Sequence, residues 1–119
     1  SNYLTMVTFL AAKAASAAGV PPGDFLPALL RTTLENSLAA ITEENRIFPL
    51  TGPVARADIA TITSHLQHLR PHAHLLRAYC QLGIATTELA GRHGILDGQK
   101  QQHILDLFIR ELGEHYEHS

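Results

Sequence analysis

With 119 residues, 45% of them hydrophobic and 17% charged, the chain suits one domain burying roughly two-thirds of its unfolded surface. A net charge of −2 leaves no basic footprint for nucleic acid, and no apolar run reaches the roughly 18 residues of a membrane span. The lone cysteine, Cys80, excludes an internal disulfide and fits a reducing, cytoplasmic compartment.

The opening Ser1-Asn2 runs straight into a helical pattern, as expected of a cut fragment or the remnant of a processed tag. Over Tyr3–Ala18 the spacing of Leu4, Val7, Leu10, Ala11, Ala14, Ala15 and Ala18 predicts a helix with one face almost entirely alanine. Small side chains on that face allow close helix packing, within the chain or between two copies of it. Gly19 suits a left-handed C-terminal turn ahead of Pro21-Pro22-Gly23. Asp24 is the expected N-cap of a second helix, with Phe25, Leu26 and Pro27 in its first turn. Its stripe runs through Leu26, Leu29, Leu30, Thr33, Leu34, Ser37, Leu38 and Ile41 and fades near Thr42.

Glu43–Ala57 is the longest irregular stretch, carrying Glu43-Glu44-Asn45-Arg46, Pro49 and Gly52-Pro53. A loop of this length in a compact domain is more often functional than idle. A third helix is expected over Asp58–Leu69 with Ile59, Ile62, Leu66 and Leu69 inward, ended by Arg70-Pro71 because proline pushes its predecessor out of helical geometry. A fourth spans about His72–Ala90 on Leu75, Leu76, Tyr79, Leu82, Thr86 and Leu89. Gly83 within it costs about 1 kcal/mol against alanine unless a close contact needs the missing side chain. After a Gly91–Gly94 turn, Asp97 caps a fifth helix to about Leu112, carried by Ile104, Leu105, Phe108, Ile109 and Leu112. No segment alternates with period two, so the expected class is an all-α domain of about five helices.

Chemistry concentrates in Thr51-Gly52-Pro53 and Arg56-Ala57-Asp58. Gly52-Pro53 forces a turn, Thr51 can bond backbone or ligand, and Arg56 is free to hold a carboxylate or phosphate. Asp58 can cap the third helix, and the plain reading of the whole stretch is a well-built helix start. His65 shares a helix flank with Asp58 and Thr61, beside the Ile62/Leu66 stripe, where it either bonds a carbonyl or works as a general acid/base. His65, His68, His72 and His74 invite a metal reading, but they lack a second ligand pair at defined spacing, so no metal is expected. Tyr79 and Cys80 read as core or interface positions, since no basic neighbour activates the thiol. Asn36, in mid-helix, must face solvent or find a partner. The nucleotide-binding glycine motifs and the nucleophile elbow are absent, so the chain alone is not expected to bind a dinucleotide.

The run Leu50-Thr51-Gly52-Pro53-Val54-Ala55-Arg56-Ala57-Asp58, followed after six residues by His65-Leu66, resembles the helical C-terminal domain of unknown function in bacterial Rossmann-like NAD(P)-binding proteins. Those proteins are placed in the 6-phosphogluconate dehydrogenase C-terminal-domain-like superfamily, akin in architecture to pyrroline-5-carboxylate reductases. Ser1-Asn2, Ala18-Gly19 and Tyr79 extend the likeness. One departure is Ala57, where the pattern has glycine; if that position has positive φ, alanine strains it. The resemblance implies a substrate-side and dimerisation domain, a homodimer, and NAD or NADP held by a Rossmann domain of the parent protein. It further implies that Asn2, Thr51, Arg56 and Asp58 bind a small-molecule substrate, with His65 the catalytic group. The competing expectation is a non-catalytic helical dimerisation module.

Overall fold

A computed structural model describes residues 1–43 and 47–117, with side chains up to Glu114, and bears out the all-α expectation. Among the described residues, five α-helices and one 3-10 turn form the fold, and there is no strand. The helices are α1 (Asn2–Ala17), α2 (Leu26–Thr42), α3 (Ile59–Leu69), α4 (Ala73–Arg92) and α5 (Gly98–Glu117), with the 3-10 turn at Pro22–Asp24. The expected Glu44–Arg46 part of the long loop lies outside the described residues. The chain packs as two units, Ser1–Pro49 and Leu50–Ser119.

In the first unit, α1 and α2 each pack on the 3-10 turn that joins them. Gly19 closes α1 as anticipated: at φ +78° it lets its own N–H reach Ser16 O (3.0 Å) and that of Val20 reach Ala15 O (2.9 Å), a Schellman ending. Asp24 does not cap α2. Pro22 and Gly23 draw it into the 3-10 turn, and Phe25 takes the N-cap position without a side-chain bond. Pro27 sits in the first turn of α2, where no hydrogen bond is lost. Among the described residues of this unit only Ala15, Leu26 and Ala40 are buried, so the expected α2 stripe exists but Leu29, Leu34, Leu38 and Ile41 remain exposed. Asn36 faces solvent.

The second unit has a closed core. Helix α4 runs against α5, and α3 packs on both. Ile62, Leu66, Leu76, Cys80, Ala90, Ile104 and Phe108 form the centre, sealed by Val54 and Leu96 from the loops. The seam of α4 falls one residue away from the expected stripe, on Leu76, Cys80, Gly83, Thr87 and Ala90, which leaves Leu82 exposed. Small residues on that seam let Phe108 approach closely. A Cβ on Gly83 would stand 2.5 Å from the Phe108 ring, which is the close contact that justifies a glycine in mid-helix. Thr87 buries its hydroxyl by donating to the Gly83 carbonyl (2.6 Å).

Three ends differ from expectation. Arg70 keeps helical angles (φ −53°, ψ −38°), so α3 stops because Pro71 brings no N–H, and His72 N closes on Leu69 O (2.8 Å). Helix α4 continues through Gly91 to Arg92 and ends at Gly94 (φ +71°) in a second Schellman turn. Helix α5, capped by Asp97 Oδ1 on Lys100 N (2.9 Å) as expected, passes Leu112 and Gly113 to Glu117. No helix among the described residues is long and apolar enough to cross a membrane.

Candidate functional site

Pro53 opens a single helical turn at the head of the second unit, following Gly52 (φ +101°). Its end repeats the Schellman pattern: Ala57 N–H bonds Val54 O (3.0 Å) and Asp58 N–H bonds Pro53 O (2.8 Å). The left-handed residue is Ala57, at φ +54°. Gly19 and Gly94 hold the equivalent place in the other two turns, so the departure noted at Ala57 falls where a Cβ is disfavoured. Val54 anchors the turn by burying its side chain in the core.

Asp58 therefore has two jobs. Its N–H closes the turn, and its carboxylate caps α3 by accepting from Thr61 N (3.1 Å) and Thr61 Oγ1 (2.7 Å). The Thr61 hydroxyl and then its backbone N–H hold the carboxyl below its ordinary range; slight desolvation opposes them, and the nearby Arg56 and His65 add to the lowering. Arg56, Asp58 and His65 are thus one electrostatic group. Arg56 is exposed, as is Thr51 just ahead of the turn.

One turn along α3 from Thr61, the exposed His65 places Nδ1 2.9 Å from the Tyr79 hydroxyl of α4. The two rings meet edge to face, with centroids 5.8 Å apart. Tyr79 is half-buried and leans on Phe108 (5.9 Å between centroids), and burial, with Cys80 beside it, pushes its phenol up to about 12. Tyr79 is therefore more than the core position the sequence implied: its ring belongs to the core, while its hydroxyl belongs to the site.

Asn2 begins α1 in the first unit and is exposed. His68 directs Nδ1 to its own helix, donating to Ser64 O (2.7 Å). Among the described residues no three His, Cys, Asp or Glu side chains converge. The second unit also holds a polar pair that the sequence reading missed, Arg70 Nε donating to the buried Glu111 Oε1 (2.9 Å). Its signal was present, since Glu111 follows Ile104 by two helical turns and so shares the buried face. The Cys80 thiol, buried and near Glu111, is pushed up to about 11 and is no activated nucleophile.

An all-helical domain with an arginine, a capping aspartate and a tyrosine-held histidine at one helix start is the class that fold and site define. The chain belongs to the family described as a domain of unknown function (DUF2520), whose model matches residues 1–86. That span includes Thr51, Arg56, Asp58, His65 and Tyr79 but not α5. No curated protein and no solved structure matches the chain.

Proposed function

We propose that this chain is the substrate-side and dimerisation domain of an NAD(P)-dependent oxidoreductase-like protein with a 6-phosphogluconate dehydrogenase C-terminal-like fold, inactive by itself. The observation that carries the reading is the apolar surface that the first unit's own helices leave uncovered. Thirteen large apolar side chains between Tyr3 and Phe48 are exposed, Tyr3 at 88% and Ile41 at 67% among them. A second copy of the chain, bringing the same helices, is the partner we assign to this surface.

On the substrate side, we assign Arg56 to hold an anionic group and His65 to give a hydrogen bond or proton to a substrate oxygen, a reading supported by the exposure of both. Helices alone offer no strand-turn-helix cradle for a pyrophosphate, so the nicotinamide cofactor is assigned to a Rossmann domain of the parent, where it would supply hydride chemistry. The full-length parent should bind NADH or NADPH, read by quenching of the nicotinamide fluorescence; absence of binding at millimolar cofactor would sink the enzyme reading.

A second reading, a non-catalytic helical dimerisation module, is favoured by Asp58, whose carboxylate is spent on Thr61 as a cap. Arg56→Ala and His65→Ala in the full-length protein divide the two. Lost turnover with unchanged melting supports the substrate-side role, and lost melting temperature supports the module.

A further inference from the structure

We infer that Tyr79 is the positioning residue of this site: it holds His65 in the tautomer that presents Nε2–H to the ligand, so that the site selects an oxygen acceptor, a carbonyl or carboxylate, over an N–H donor. The inference rests on the substrate-side reading above and names the substrate class of that same site.

Phe108 is fully buried, and its ring fills the space that any side chain at position 83 would need. Tyr79 leans on that ring, so its own ring is held on one side by a core that cannot shift cheaply. The phenol oxygen is therefore a fixed point, 2.9 Å from His65 Nδ1. It comes from a different helix, fourteen residues along the chain, so it reports tertiary packing rather than a local helical bond.

The direction of the bond follows from the chemistry of the two groups. A half-buried phenol that keeps its proton throughout the physiological range needs an acceptor for its O–H. Nδ1 of a neutral imidazole provides one, and the ring proton then resides on Nε2. His65 is exposed, and its Nε2 makes no hydrogen bond among the described residues. An outward N–H whose ring is fixed from behind accepts no donor, so an ammonium or amide N–H finds no partner there. An oxygen with a free lone pair does. His68, three residues on, is the internal contrast. Its Nδ1 donates to the Ser64 carbonyl and leaves Nε2 as an acceptor.

The test is the protonation pattern of the two imidazoles in the 119-residue chain, labelled with nitrogen-15 and read by long-range proton–nitrogen correlation at a pH where both are neutral. The expected result is Nε2–H at His65 and Nδ1–H at His68. In Tyr79→Phe, which keeps the ring on Phe108, the two His65 nitrogen shifts should converge toward the average of a tautomer mixture while His68 stays unchanged. An Nδ1–H tautomer at His65 in the unmodified chain overturns the inference, whether or not the variant folds; so does a His65 pattern indifferent to the loss of the hydroxyl. Titration of the same sample with acetate and with methylammonium should shift His65 Nε2 with acetate alone, and an equal response to both contradicts the selectivity. Because these readings need no cofactor, a correct tautomer in a parent that binds no NAD(P)H fails the oxidoreductase reading alone, and a wrong tautomer in an NAD(P)H-binding parent fails this inference alone.

Discussion

The two units are built from the same material and reach opposite states. Helices α1 and α2 are amphipathic, rich in Leu and Ala, and bury three residues between them; α3, α4 and α5 enclose a core with Phe108, Ile62, Ile104 and Cys80 fully inaccessible. The difference lies in what meets each apolar stripe. In the second unit a seam of small residues on α4 receives the large ones of α5, so the stripe is satisfied within the chain. In the first, α1 and α2 meet at a 3-10 turn and their stripes face outward. A periodic stripe tells that a face will be covered, not by whom.

Core truncation should give the largest contrast. Phe108→Ala is expected to lower stability by about 3–5 kcal/mol, whereas Leu38→Ala, half exposed on α2, should change the unfolding of the monomer, measured at concentrations too low for self-association, by less than about 1 kcal/mol. Urea denaturation of both variants checks this, and similar losses would erase the distinction between the units. Gly83→Ala comes next. Helix propensity favours it by about 1 kcal/mol, yet the clash with Phe108 should leave it about 1–3 kcal/mol less stable on balance.

Alkali should act on the second unit. Tyr79 rises from 10.0 to about 12 and Cys80 from 9.0 to about 11, so the folded state favours both neutral forms. Their contribution is complete below pH 9 and is lost as pH climbs through 11 to 12. Alkylation of Cys80 against urea should therefore be slow at neutral pH and accelerate across that window. Immediate labelling at neutral pH would show that this core is not closed.

The smallest effect separates two turns of identical hydrogen bonding. Ala57→Gly relieves a left-handed alanine and should stabilise by about 0.5–1 kcal/mol after the entropy of glycine is counted, while Gly94→Ala should destabilise by a similar amount. Thermal melts of the pair decide it; a destabilising Ala57→Gly would mean the turn is not held as described.

These turns also show what could be read in advance. Gly19, Asp58 and Asp97 carry their structure in local chemistry, and the strain at Ala57 was visible as a missing glycine. Asp24 misled because capping propensity competes with the 3-10 turn that Pro22 begins, and only the fold decides between them. The α4 seam was misplaced because periodicity weights large residues, whereas Cys80, Gly83 and Ala90 matter for what they leave room for. At the site, Asp58, Thr61 and His65 were legible as a flank of one helix with Arg56 just ahead of it, but the Tyr79 bond depends on α4 crossing α3, which no local signal encodes.

The central claim, that the exposed faces of α1 and α2 belong against a second copy, is tested most directly by sedimentation equilibrium of the chain and of its Leu4→Glu/Leu38→Glu variant. The expected result is a dimer that the double substitution converts to a folded monomer with its second-unit core intact, as judged by Cys80 protection. A monomeric unmodified chain across the accessible concentration range would contradict it.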